Sequence, residues 1–171
     1  MSMIVKVVAY QADWPQQFEE EAAKLMEQIG SVSKALFHIG STSVPGLMAK
    51  PVIDILLEVH RLSDLDEQSH QLEKLGYEVM GENGIPGRRY FRKGGETRTH
   101  HIHAFQTGDP GLTRHLAFRD YLRAHPHKAQ AYGNLIAEIA ERHPNDIDRY
   151  CDEKDSFVKQ HEALALEWYR A

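Results

Sequence analysis

An α/β or α+β core followed by a helical tail is the fold class this sequence predicts, on three observations. Apolar runs of strand length alternate with helix-period segments as far as Gly108-Asp109-Pro110. Beyond that turn the apolar spacing is helical only. No repeat, low-complexity stretch or obvious linker divides the 171 residues. One domain is therefore expected over residues 1–171, with a core at about 1–108 and a helical tail at about 109–171.

In chain order, Ile4 to Val8 predicts a short strand. Asp13-Trp14-Pro15 opens a helix, with Asp13 as N-cap and Pro15 tolerated in the first turn. Phe18, Ala22, Leu25 and Ile29 follow at helical spacing, and Gly30 supplies the stop. Ala35–Ile39 and Val52–Val59 are apolar and short, as buried strands are, the second more strongly so. Ser63 is expected to cap a helix that carries Leu65, Leu72 and Leu75 on one side and ends at Gly76. Tyr77–Met80 reads as a brief strand, and Arg88–Lys93 and His100–Phe105 as two strands joined through Gly94-Gly95. Leu112–Ala124 and Ala129–Ala140 are helical, broken at His125-Pro126 because proline disfavours helix at the preceding residue. A last helix is expected over about Asp155–Tyr169.

Composition narrows the function classes. A formal charge of −5 lacks the basic excess of a nucleic-acid coat protein, so a nucleic-acid partner is not expected. Cys151 is the only cysteine, which rules out an intrachain disulfide and fits a reducing compartment. The apolar run before Gln11 and Asp13 is too short for a signal peptide, and no run approaches the ~18 residues of a membrane helix. The expected location is the cytoplasm.

The most informative stretch runs from His38 through Gly40-Ser41-Thr42-Ser43, Pro45-Gly46 and Lys50-Pro51 to Asp54. A strand that ends at Gly-Ser can turn backbone N–H groups and a hydroxyl toward a phosphate. An isolated Gly-Ser is ordinarily just a tight turn. Here an aspartate stands in the next apolar run, where it is costly unless paired, hydrogen-bonded or metal-bound. An acidic group there can hold a divalent cation against the same phosphate. A second carboxylate would be expected two residues on, where the chain has Leu56. Glu58 shares the face but lies ~13 Å from Asp54 at the rise of a strand, too far to grip the same ion. Lys50 is either a phosphate contact or a solvated lysine.

Thr99–Phe105 carries His100, His101 and His103. On a strand, His101 and His103 face the same way with Cα atoms ~6.6 Å apart, a spacing at which imidazoles converge on one cation or phosphate. The alternative is a pair of half-buried histidines hydrogen-bonded to neighbours. His100 points the other way. Arg88, Tyr90 and Arg92 share one face of their strand, and Arg89, Phe91 and Lys93 the other, so one face offers cations to an anion unless these are only a charged hairpin edge. Among Arg119, Asp120 and Arg123, local ion pairing along the helix is expected.

These residues closely resemble the GrpB family, a bacterial branch of the nucleotidyltransferase superfamily. The resemblance rests on Tyr10, Trp14-Pro15 and Phe18, on the block from His38 to Asp54, on Arg98-Thr-His-His-Ile-His103, on Phe118–Arg123, and on Tyr150 with Lys154-Asp155. It implies a twisted mixed β-sheet flanked by helices, with a helical C-terminal region. In the superfamily Gly-Ser holds the nucleoside triphosphate and an Asp-x-Asp pair binds Mg²⁺, which places Gly40, Ser41 and Asp54 here and leaves Leu56 where the second aspartate would stand. His101 or His103 is the candidate for the missing third ligand, on chain order alone. The reading that results has Asp54, His101 and His103 as catalytic and metal-binding residues. Gly40, Ser41, Thr42, Ser43, Lys50, Arg92, Arg98 and Lys154 bind phosphate, Mg²⁺ is the cofactor, and an NTP and an unknown acceptor are the partners. A non-catalytic nucleotide- or anion-binding module is the alternative, because superfamily members that lost carboxylates include non-catalytic ones. A His-dependent phosphohydrolase comes third, since Phe105 stands where a further histidine would be wanted.

Overall fold

In a computed structural model, residues 6–95 and 98–170 are described. A five-stranded mixed sheet is built from β1 (Ser33–Ile39), β2 (Ile53–Val59), β3 (Tyr77–Val79), β4 (Arg89–Lys93) and β5 (His100–Gln106), in the order β1-β2-β5-β4-β3. Among the described strands only the β2–β5 pair is parallel. Ile4 and Val5 of the expected first strand lie outside the described residues, and Val8 makes an isolated bridge with Ala49.

The two sheet faces have different duties because side chains alternate along each strand. Ile53, Ile55, Leu57 and Val59 of β2 and Ile102 and Ala104 of β5 pack with Trp14, Phe18, Leu25 and Ile29 of α1 (Trp14–Ile29) in the main apolar core. The opposite face carries Asp54, Leu56, His101, His103 and Phe105 toward α4 (Pro110–Ala124), on which Leu112 joins Ile39, Leu56 and Phe105 in a smaller cluster. A third cluster joins Val44 and Leu47 to α4, α5 (Pro126–Arg142) and α6 (Ile147–Arg170).

Several local expectations change. Asp13 is not a side-chain cap: its backbone is already helical, and its carboxylate instead accepts from the Gln17 side-chain amide at 2.9 Å. The single helix expected from Ser63 is two, α2 (Leu62–Glu67) and α3 (Ser69–Lys74), interrupted at Gln68, and Arg61 rather than Ser63 precedes the first. The last helix begins at Ile147, two turns earlier than its apolar spacing suggests, because Tyr150 is buried against α5 as part of the helical cluster. Arg119 does pair with Asp120, yet it also donates to the His38 carbonyl at 3.2 Å, while Arg123 donates to the Ser43 carbonyl at 2.9 Å. These arginines therefore tie α4 to the segment that precedes β2.

Candidate functional site

The site is assembled by register. The parallel β2–β5 pairing sets Asp54 beside His101 and Leu56 beside His103, and β1 sets Ile39 beside Asp54. Residue 40 then has to leave the sheet directly over the aspartate. Gly40 does so at φ +75° and ψ −175°, and a Cβ there would lie 2.6 Å from Asp54 Oδ2. Glycine is thus required twice, for the backbone angle and for the close approach. A short 3-10 turn, Ser41–Ser43, follows.

Asp54 Oδ1 meets both imidazoles, at 3.4 Å from His101 Nδ1 and 3.2 Å from His103 Nε2. One ligand atom from each of the three residues lies within 4.8 Å of the others, a spacing a single ion could bridge. Burial by itself raises the Asp54 carboxyl, but hydrogen bonds from the two histidines outweigh it and hold the group well below the usual carboxylate range. Burial lowers His103 despite the aspartate and so favours its neutral ring. The carboxylate still opens onto a cavity of about 320 Å³, with 27% of its side chain exposed.

That cavity gathers Gly40, Ser41, Thr42, Lys50, Asp54, Arg98, His101, His103 and Lys154 from the sequence-predicted set. Lys50, Arg98, Arg114 and Lys154 supply four cations against the carboxylates of Asp54 and Glu162, a local positive excess in a chain of net charge −5. Lys50 and Lys154 both stand over the Tyr150 ring, 5.1 and 5.5 Å from its centroid. Burial, with Lys154 close by, brings the Lys50 ammonium down to about 8. Arg98 Nε has no hydrogen-bond partner among the described residues.

Two expected phosphate contacts are placed elsewhere. Arg92 is held by Glu78 across the β3–β4 pair at 2.9 Å and does not line the cavity. The Ser43 hydroxyl donates to the Gly40 carbonyl at 2.5 Å, which braces the turn from behind. Thr42, by contrast, lines the cavity and bonds His38 Nε2 at 2.9 Å. Sequence reasoning missed His115, whose ring lies 5.4 Å from that of His103 and whose buried Nε2 has no partner among the described residues. Its place one turn beyond Leu112, on the buried side of α4, was the available signal. Burial depresses its pKa to about 3. Arg114 and Glu162, 3.4 Å apart, were also missed.

The five-stranded mixed sheet flanked by helices, with its glycine-turned strand end over an aspartate of the neighbouring strand, is nucleotidyltransferase-like in fold. The Cid1 poly(U) polymerase, whose structure was determined with MgGTP bound, shares it at a TM-score of 0.51 and 12% identity, over 77% of this chain and 43% of that one. The chain belongs to the GrpB family, whose model, described as GrpB protein, matches residues 4–163. The crystal structure of GrpB from Enterococcus faecalis superposes with a TM-score of 0.93 at 46% identity, covering 97% of this chain and all of that one. The UPF0157 protein YqkA of Bacillus subtilis is 44% identical over 96% of the chain, and the chain spans about half (48%) of its length. No helix among the described residues is long and apolar enough to cross a membrane.

Proposed function

We propose that the cavity binds a nucleoside triphosphate with Mg²⁺ and that the protein transfers the nucleotidyl group to an acceptor, releasing pyrophosphate. One observation carries this reading: the ionised carboxylate of Asp54 stands under the Gly40-Ser41 turn in a cavity where cations outnumber carboxylates. Asp54 would hold the ion against the phosphates, with His101 beside it as an aid to the metal and His103 acting through Asp54 Oδ1. Lys50, Arg98 and Lys154 would neutralise the triphosphate. An acceptor atom attacks the α-phosphorus as the bond to the bridging oxygen breaks and pyrophosphate departs with its electrons. Catalysis would then be mainly positioning and electrostatic stabilisation. The fold supports this reading, as does the MgGTP complex of Cid1. The lone Cys151, a free thiol, accords with a cytoplasmic setting.

Leu56 favours a second reading, a nucleotide- or anion-binding module without transfer. It is fully buried among Ile39, Phe105 and Leu112, so the position of a second metal carboxylate is part of an apolar core. Calorimetry with ATP, GTP, CTP and UTP, with and without Mg²⁺, combined with a pyrophosphate-release assay, separates the two. Transfer requires Mg²⁺-dependent pyrophosphate release that Asp54→Ala abolishes. Binding without release by the wild-type protein selects the module, and full activity in Asp54→Ala removes the role given to Asp54.

A further inference from the structure

Arg88 governs what His103 can offer. It is 7% exposed and held on several sides, with Nε donating to the Glu82 carbonyl at 3.2 Å and Nη2 to the Asn83 carbonyl at 2.9 Å. Its guanidinium carbon lies 4.8 Å from the centroid of the Tyr90 ring. The remaining nitrogen, Nη1, is 3.3 Å from His103 Nδ1. A guanidinium has donors only and keeps its proton. His103 Nδ1 must therefore be the acceptor, and in the neutral ring the hydrogen sits on Nε2, pointing at Asp54 Oδ1 3.2 Å away.

This is the reverse of a metal-binding histidine, whose outer nitrogen donates to a carboxylate, carbonyl or water while the inner one turns a lone pair to the ion. While Arg88 faces Nδ1, Nε2 has no lone pair to give. His101 is under no such constraint. Its Nδ1 is near Asp54, and its buried Nε2 has no partner among the described residues.

We propose that Arg88 is a metal-selectivity residue, which withdraws His103 from the ligand set by fixing its tautomer. Without it, one carboxylate and two imidazoles would make a three-ligand site of the kind that traps zinc, cobalt or ferrous iron. With it, a bound ion has Asp54, His101, water and ligand oxygens, a set left open to an oxygen-preferring cation. The inference rests on the reading of Asp54 as an ion ligand but not on nucleotidyl transfer.

Two measurements on the ligand-free protein test it. Long-range ¹⁵N–¹H NMR of the wild-type protein should find the His103 hydrogen on Nε2, and a hydrogen on Nδ1 overturns the proposal. Arg88→Gln supplies a carbonyl that can accept from Nδ1–H and so frees Nε2. Calorimetry with Zn²⁺ and the visible spectrum of bound Co²⁺ should show affinity rising by about tenfold or more, the scale of outer-shell effects on metal sites. Arg88→Gln/His103→Ala should lose that gain. An unchanged affinity in Arg88→Gln, or a gain that survives loss of His103, overturns the proposal, and if Arg88→Gln does not fold the NMR result decides. Absence of pyrophosphate release alongside these expected results would sink the transferase reading alone.

Discussion

Replacing Gly40 by alanine should cost far more than an ordinary glycine substitution, and the excess should be traceable to Asp54. The backbone at φ +75°, ψ −175° lies in a region essentially reserved for glycine, where a side chain costs about 1–3 kcal/mol. The added Cβ would also lie 2.6 Å from Asp54 Oδ2 and 3.0 Å from the Asp54 Cβ, so the carboxylate must turn away. Turning it weakens the hydrogen bonds that Oδ1 receives from two imidazoles, worth about 1.5–3 kcal/mol for a charged acceptor. Together the loss is about 3–5 kcal/mol, a fall in Tm of roughly 10 °C for a chain of this size. Gly46→Ala is the internal control, since φ is +82° there but no atom of the described residues lies within 4 Å of the added carbon. It should cost only the left-handed backbone penalty, about 1–2 kcal/mol. Urea unfolding of both variants, in wild-type and Asp54→Ala backgrounds, reads the difference. In the Asp54→Ala background the Gly40→Ala cost should shrink toward that of Gly46→Ala. Equal costs for the two glycines in the wild-type background, or an undiminished Gly40→Ala cost without the carboxylate, would refute the argument.

Leu56→Asp, which restores the carboxylate spacing, should destabilise the protein by about 3 kcal/mol or more, because it removes a buried leucine and strands polar oxygens in an apolar cluster. A folded Leu56→Asp protein with wild-type stability and faster pyrophosphate release would show that the position was never committed to the core. With the Lys50 ammonium brought down to about 8, its charge is present below that pH and lost above it, so anion affinity should fall as pH rises from 7 to 9. Lys50→Arg keeps its charge across this range, and calorimetry should find its affinity for inorganic triphosphate nearly flat, whereas a parallel fall in both proteins would place the titrating group elsewhere.

The fold was legible because most of its signals are local. The short apolar run Val52–Val59 reads as a buried strand, and the two-residue side-chain period of a strand over His100–Phe105 already separates His101 and His103 from His100. Proline at 126 marks the break between α4 and α5, and the Gly40-Ser41 pair beside an aspartate in an apolar run marks the site. Local signals failed where a tertiary contact outweighed them, as at Tyr150, whose burial draws the start of the last helix forward to Ile147.

The site was only partly legible, for a different reason. Which of the many basic residues face Asp54 depends on partners distant in the chain. Glu78 takes Arg92 out of the cavity, whereas Arg98, Lys50 and Lys154 remain in it. His115 and Arg114 arrive on a helix that the sequence alone does not dock, and Arg88, just before β4, reaches His103 because the β4–β5 pairing brings the two segments together. By itself the sequence determined most of the elements and the one strand face on which chemistry would lie, because side-chain periodicity is a local property of the backbone. Only the tertiary structure decided the company Asp54 keeps, because strand register and helix docking bring together groups whose charges and lone pairs interact over a few ångströms, whatever their separation along the chain.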